Sequence, residues 1–287
     1  MTKDLSGKDL SGKDLSGKDL SGANLRHANL GGANLTSANL TSANLERADL
    51  EGADLTGAKL SGANLKFARL YESDLMTSTN LERADLTGAN LEGADLTGAN
   101  LSGANLERAR FGCANLTHAN LSGANLNFAS LYESDLMGAN LTHANLTHAN
   151  LTHAKLSGAN LTHANLTHAG LTQADLRGAH LRGAILVKCV WDGAVLARVD
   201  LREVAELTTG DHNHPSTVGV DTLMLTSGGE LLRSGMPEPY RSFFLACGVP
   251  IEFLQPRTGS LAALRQITAE LQPRVVRELG GDTGGAY

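Results

Sequence analysis

The chain has 287 residues, of which 41% are hydrophobic, 19% charged and only 4% aromatic, with a formal net charge of −6. One Trp, four Tyr and six Phe are too few to fill a conventional core of this size, because rings usually supply much of the buried area. The acidic balance excludes the basic footprint of a direct nucleic-acid binder. No run approaches the roughly 18 apolar residues of a membrane helix, and the opening Met1-Thr2-Lys3-Asp4-Leu5 has no apolar signal segment. Cys113, Cys189 and Cys247 are odd in number and widely spaced. They suggest neither a disulfide framework nor a zinc site, and a reducing, cytoplasmic setting is expected.

Leu recurs at every fifth position from Leu5 to Leu75. One extra residue intervenes in Met76-Thr77-Ser78-Thr79-Asn80, and the period resumes from Leu81 to Leu201. The centre is Leu in 38 of these 40 units, with Phe111 and Trp191 as the exceptions. Two residues earlier Ala stands in 31 units, and the residue just before the centre is usually Asn or Asp. A period of five fits neither a helix nor a strand, so the unit itself must turn. Leu and the Ala before it alternate as the inward residues of a very short extended segment. The two residues after Leu form a corner. In Leu60-Ser61-Gly62-Ala63, Gly62 holds the third place of a turn, where a type II turn needs φ > 0. Four corners close a square of 20 residues, and coils stack about 4.8 Å apart. About ten coils give a rod of roughly 45–50 Å at that spacing.

Strings such as Ala94-Asp95-Leu96-Thr97-Gly98 and Ala99-Asn100-Leu101-Ser102-Gly103 resemble the A(D/N)LXX units of pentapeptide repeat proteins. The resemblance covers about residues 20–201. It implies a right-handed quadrilateral β-helix, an all-β solenoid; the spacing alone suggests only a four-cornered coil. The expected organisation is a leader or first coil over 1–20, the β-helix over 21–205, and a small α/β or helical capping or oligomerisation segment over 206–287. The aromatic deficit follows, since a narrow interior admits Leu and Ala but not repeated rings. One coil buries about four Leu at roughly 1.5–3 kcal/mol each, too little to order 20 residues at roughly 1–2 kcal/mol each. Stacking must stabilise the coils, and the ends need caps.

Taken in chain order, the first irregularity is Lys3, Lys8, Lys13 and Lys18 at the small inward position. Lysines cannot be buried there unpaired, so this segment is a solvated leader or a terminal coil whose lysines reach past its open end. The stretch Leu65–Met76 then recurs as Leu126–Met137, an offset of 61 residues: three coils plus the inserted residue. Phe67 and Tyr71, and their copies Phe128 and Tyr132, fall at outward positions and are the candidate partner contacts. Residues 76–80 should bulge from one corner. Phe111 lies inside.

His118, His143, His148, His153, His163 and His168 all stand two after a central Leu. Stacking places His143 over His163, His148 over His168, and His153 between Glu133 and Gln173. Each column offers two ligands where zinc takes three or four, so corner residues tolerant of φ > 0 are favoured over a pH-responsive surface, and a shared metal is the least favoured reading. Cys189 is an inward, inert core residue. Trp191 plugs the rod near its end.

The period stops after Leu201. Thr208–Pro215 forms a polar linker; a short strand, a Ser227-Gly228-Gly229 turn and a second short element are expected over 218–232, a short helix over 239–246, and an amphipathic helix from Ser260. Val220 to Pro250 resembles the connector that joins pentapeptide repeats to Toll/interleukin-receptor-type domains, which would make the chain an adaptor without its effector domain.

No nucleophile elbow, phosphate loop or metal motif occurs, so no catalytic residue, cofactor or metal is expected. The leading function is a non-catalytic scaffold that presents side-chain columns to a protein partner, with a homodimer through 206–287 as one arrangement. The resemblance also implies an alternative, since some quinolone-resistance members are acidic rods that mimic duplex DNA and bind type II topoisomerase (gyrase). Residues 1–205 carry 18 basic and 21 acidic side chains, a sparse acidity for a DNA mimic.

Overall fold

The repeat unit closes one kind of turn. The Ala28 amide donates to the Leu25 carbonyl at 2.9 Å, and His27 between them has φ of 57°. This is the type II pattern, which favours Gly at that place. Where Gly is missing, residues as different as Phe67, Glu72, Cys113 and His143 adopt the same left-handed conformation. The computed structural model describes residues 3–201, 204–207, 217–218 and 240–246. Four such turns complete a coil, and each coil pairs in parallel with the next at an offset of 20, as in Asn24 with Asn44 and Asn100 with Asn120.

The hydrogen bonds explain why five residues suffice. In the unit Leu35–Asn39, the Leu35 and Ser37 amides donate to the following coil, at Asp54 O (2.7 Å) and Thr56 O (2.9 Å). The Asn39 amide donates back to Lys18 O (2.9 Å), and the Ala38 amide closes the turn on Leu35 O (2.9 Å). The fifth amide, of Thr36, has no backbone acceptor and donates instead to Asn34 Oδ1 at 3.0 Å. Asn or Asp before Leu, where it stands, thus supplies an acceptor to the one amide that the main chain leaves without one. The Asn side chains also pair between coils: the Asn120 and Asn140 amides donate at 3.2 and 3.1 Å to Asn100 and Asn120 Oδ1 respectively.

Leu and Ala of successive coils form one continuous core, in which Phe111, Cys189 and Trp191 are fully buried. Ser73 and Ser134 replace Ala in the duplicated segments and are also buried. Their hydroxyls donate to Leu70 O and Leu131 O, both at 2.7 Å, as buried polar groups must.

The inserted residue is absorbed by one displaced turn. The Thr79 amide donates to Met76 O at 3.2 Å, Ser78 takes φ of 73°, and Met76, Thr77 and Ser78 are pushed into solvent. The offset becomes 21 for the next rungs, as in Arg69 with Asn90. Gly57 loses its usual carbonyl acceptor in the following coil, and the buried Thr79 hydroxyl replaces it at 3.1 Å. That hydroxyl lies 2.9 Å from Leu55 O and 2.8 Å from Met76 O, to which its own proton is donated. Thr79→Val keeps the shape but strands the Gly57 amide, and is expected to destabilise the rod by about 1–3 kcal/mol. Chemical denaturation against Thr79→Ser, which retains the hydroxyl, checks this; equal midpoints for Val and wild type would refute it.

In the first coil Lys3, Lys8, Lys13 and Lys18 are exposed, while Leu5, Leu10 and Leu15 pack partly buried against the core. This coil is in register with the next through Asp4 with Asn24 and Asp9 with Asn29. Serine hydroxyls and amides two residues on hold Asp9, Asp14 and Asp19 below the usual carboxylate range; at Asp4 the Ser6 amide leads.

At the far end the coils lengthen. Strand β1 (Ile185–Leu186) pairs in parallel with β3 (Glu206–Leu207), and β2 (Val195–Leu196) with β4 (Thr217–Val218). The offsets rise to 21 and 22 as the five-residue rule lapses. Helix α1 (Tyr240–Ala246) realises the short helix read over 239–246. Its Phe243 meets Trp191 edge to face at 5.2 Å, and Phe243 and Phe244 are both fully buried. The linker over 208–215, the Ser227-Gly228-Gly229 turn with the second short element after it, and the amphipathic helix from Ser260 lie outside the described residues.

Candidate interaction surface

Each coil turns three kinds of side chain outward: the residue before Leu, and the two corner residues after it. Corner residues stack along the rod into columns. One column runs Arg47, Phe67, Gly88, Arg108, Phe128, His148, His168, in ladder register. Arg47 sits over the Phe67 ring at 5.7 Å and Arg108 over the Phe128 ring at 5.7 Å, a favourable cation–π arrangement. Phe128 stacks on His148 at 4.7 Å, and His148 on His168 at 4.8 Å. A Cβ at Gly88 would lie 2.7 Å from the Phe67 ring, so glycine there gives the ring a place to lie.

The expected His143–His163 pair is present on a second column, stacked at 5.0 Å. Protonating both rings of either His pair would set two positive charges about one strand spacing apart. His153 instead meets Tyr132 edge-on at 5.8 Å. Glu133 is held below its usual range by Tyr132, then by the Cys113 thiol, with a smaller contribution from the charge of His153. Cys113 is raised, first by burial and then by Glu133, whose carboxylate lies 3.5 Å away. Cys189 donates to Leu166 O at 3.1 Å and burial pushes it up to about 12, which makes it an unreactive thiol. Among the described residues no group of three or more His, Cys, Asp or Glu is placed to hold a metal ion.

Phe67, Tyr71, Phe128 and Tyr132 are 52%, 36%, 49% and 39% exposed. All four lie on one face, where each coil contributes a corner residue, a mid-edge residue and a second corner residue. The mid-edge ladder runs Arg69, Asn90, Arg110, Ser130, so the two aromatic rows stand three coils apart. Ion pairs knit this face: Arg69 with Asp49 at 3.1 Å and with Glu51, and Arg110 with Glu92 at 2.7 Å. The aromatic positions were legible from the duplication. The arginines over the rings were not singled out, although the same offset of 20 that pairs the histidines places Arg47 over Phe67 and Arg108 over Phe128.

A four-cornered parallel solenoid with a Leu–Ala core and stacked exterior columns defines the class of repeat-built β-helices. The chain belongs to the pentapeptide repeat family: the family model for pentapeptide repeats matches it in eight copies over residues 4–41, 38–75, 76–112, 109–147, 144–183 and 174–205. Among solved structures it is similar to HetL, a pentapeptide repeat protein involved in heterocyst differentiation regulation in the cyanobacterium Nostoc. The two are 38% identical over 67% of this chain and 88% of HetL, with a TM-score of 0.64. A pentapeptide repeat protein of the Arabidopsis thaliana thylakoid lumen is 37% identical over 33% of this chain and 67% of its own, with a TM-score of 0.33. The plasmid-mediated fluoroquinolone resistance protein QnrB1 is 23% identical over 66% of this chain and 90% of its own, with a TM-score of 0.42. The rod is thus a right-handed β-helix. No curated protein matches the chain. The family match stops at residue 205, short of the connector-like stretch 220–250. No helix among the described residues is long and apolar enough to cross a membrane.

Proposed function

We propose that this protein is a non-catalytic scaffold whose rod presents the face bearing Phe67, Tyr71, Phe128 and Tyr132 to a protein partner. The observation that carries this reading is the exposure of four rings, in two matching rows, on a rod otherwise almost free of outward aromatics. Exposed aromatic and arginine side chains are the types that dominate binding energy at interfaces, and Arg47 and Arg108 brace the two Phe rings. Similarity to HetL, itself involved in regulation, supports a role in recognition. The topoisomerase-mimic reading lacks comparable support, because basic side chains such as Arg69 and Arg110 interrupt the acids on this face. Affinity capture with the full chain and with a variant carrying Phe67→Ala, Tyr71→Ala, Phe128→Ala and Tyr132→Ala tests the proposal. Bound protein is expected to fall at least tenfold, and equal capture by a folded variant sinks it.

A further inference from the structure

We infer that this same face docks a second copy of the chain, with the two rods side by side and antiparallel. The inference rests on the reading of the face as a binding surface and names its occupant.

The duplication sets the symmetry. Two identical copies related by a two-fold axis form a self-complementary contact, in which one patch meets another and is met by it in return. Place that axis across the rod, in the plane of the face, midway between the rows of Asn90 and Arg110. The Phe67 row of one copy then lies on the Phe128 row of the other, and the Phe128 row on the Phe67 row. Tyr71 falls opposite Tyr132, and Arg69 opposite Ser130. The ladder through these residues runs from Asp9 to Val190, with five rows on each side of the axis. The operation that matches the aromatic rows therefore also overlaps the rods along their full length.

Near the axis, size and charge agree with this pairing. Between the aromatic rows, Arg108 falls opposite Gly88, Arg110 opposite Asn90, and Glu92 opposite Gly112. Each long side chain meets a short one, and its charge meets no like charge. Farther out, Asp49 falls opposite Asn150, and Asn29 opposite Gly170. The same axis applied to the adjoining face gives the opposite result. Met76 and Met137 are also exposed there, but Glu72 falls opposite Glu133 and Asp74 opposite Asp135. Like charges directly opposed disfavour association. The aromatic face is thus the one on which a second copy fits.

The test uses the full chain with Cys113→Ser and Cys247→Ser as background. Asp49→Cys and Asn150→Cys, which face each other across the axis while like positions lie five coils (about 24 Å) apart, are made separately, and a short bis-maleimide is added to each alone and to their equimolar mixture. The expected result is a covalent dimer of about twice 30.0 kDa in the mixture and not in either variant alone, with the 49–150 link confirmed by mass spectrometry. Light scattering should give twice the chain mass for wild type and the single-chain mass for Phe67→Asp/Phe128→Asp. Circular dichroism confirms that this variant stays folded. A single-chain mass for wild type, linkage in either variant alone, or a dimer that survives the Asp substitutions overturns the inference. A single-chain wild type that captures another protein through Phe67 and Phe128 removes the second copy as occupant but leaves the scaffold reading standing. Loss of neither mass nor capture in the ring variants removes both.

Discussion

Replacing Phe111 by Ala is expected to destabilise the rod by about 3–5 kcal/mol, the usual range for deleting a fully buried ring. Phe111 occupies the central position between Leu91 and Leu131 of the neighbouring coils, with its amide donating to Ser130 O at 2.7 Å, and is fully enclosed. The interior is walled by backbone ladders on four sides, so it cannot collapse to fill the space. In a stack where each coil touches only its neighbours, the loss falls on two interfaces in the middle of the array. Phe111→Leu restores the residue found at almost every other centre and should cost less than about 1.5 kcal/mol. Equilibrium denaturation of the two variants side by side checks the pair. A loss below 1 kcal/mol for the Ala variant would show that the ring is not part of the packed core.

Trp191→Ala carries an expected loss of similar size, about 3–5 kcal/mol, but at the end of the rod and with a different signature. Trp191 is the largest buried side chain and the one that Phe243 of α1 packs against at 5.2 Å. Without it, α1 loses its seat and the last coils lose the apolar surface that covers them. Limited proteolysis should cut after about residue 205 much faster in the variant, leaving the repeat rod intact. Phe243→Ala should give a milder version of the same digest. If the variant resists protease as wild type does, α1 does not depend on that ring.

The fold was legible because the period forbids the alternatives. Five residues per Leu excludes helix and simple strand, and the Leu–Ala alternation marks which residues turn inward; Phe67 and His143 could accordingly be placed outward from sequence alone. The role of Asn and Asp was visible as a pattern but not as a cause. Only the geometry shows the Thr36 amide lacking a backbone acceptor and taking Asn34 Oδ1. The response to the insertion was half legible. A bulge at 76–80 follows from counting, whereas the repair of the ladder by Thr79 depends on Gly57, 22 residues away. The candidate surface divides the same way. Its rings and their separation by three coils are in the sequence, but the short side chains that would face the long ones show only in the register of the ladder.

Folding places little constraint on how such a surface changes over time. Every N–H of a unit such as Leu35–Asn39 is satisfied by main chain or by the Asn one place before Leu, and the core is satisfied by Leu and Ala. The two corner side chains have no part in either. A corner can pass from Gly to His to Phe at the modest cost of a left-handed backbone, without touching the interior. Each column can therefore drift residue by residue while the rod beneath it stays the same, so that recognition and folding are inherited as separable traits of one chain.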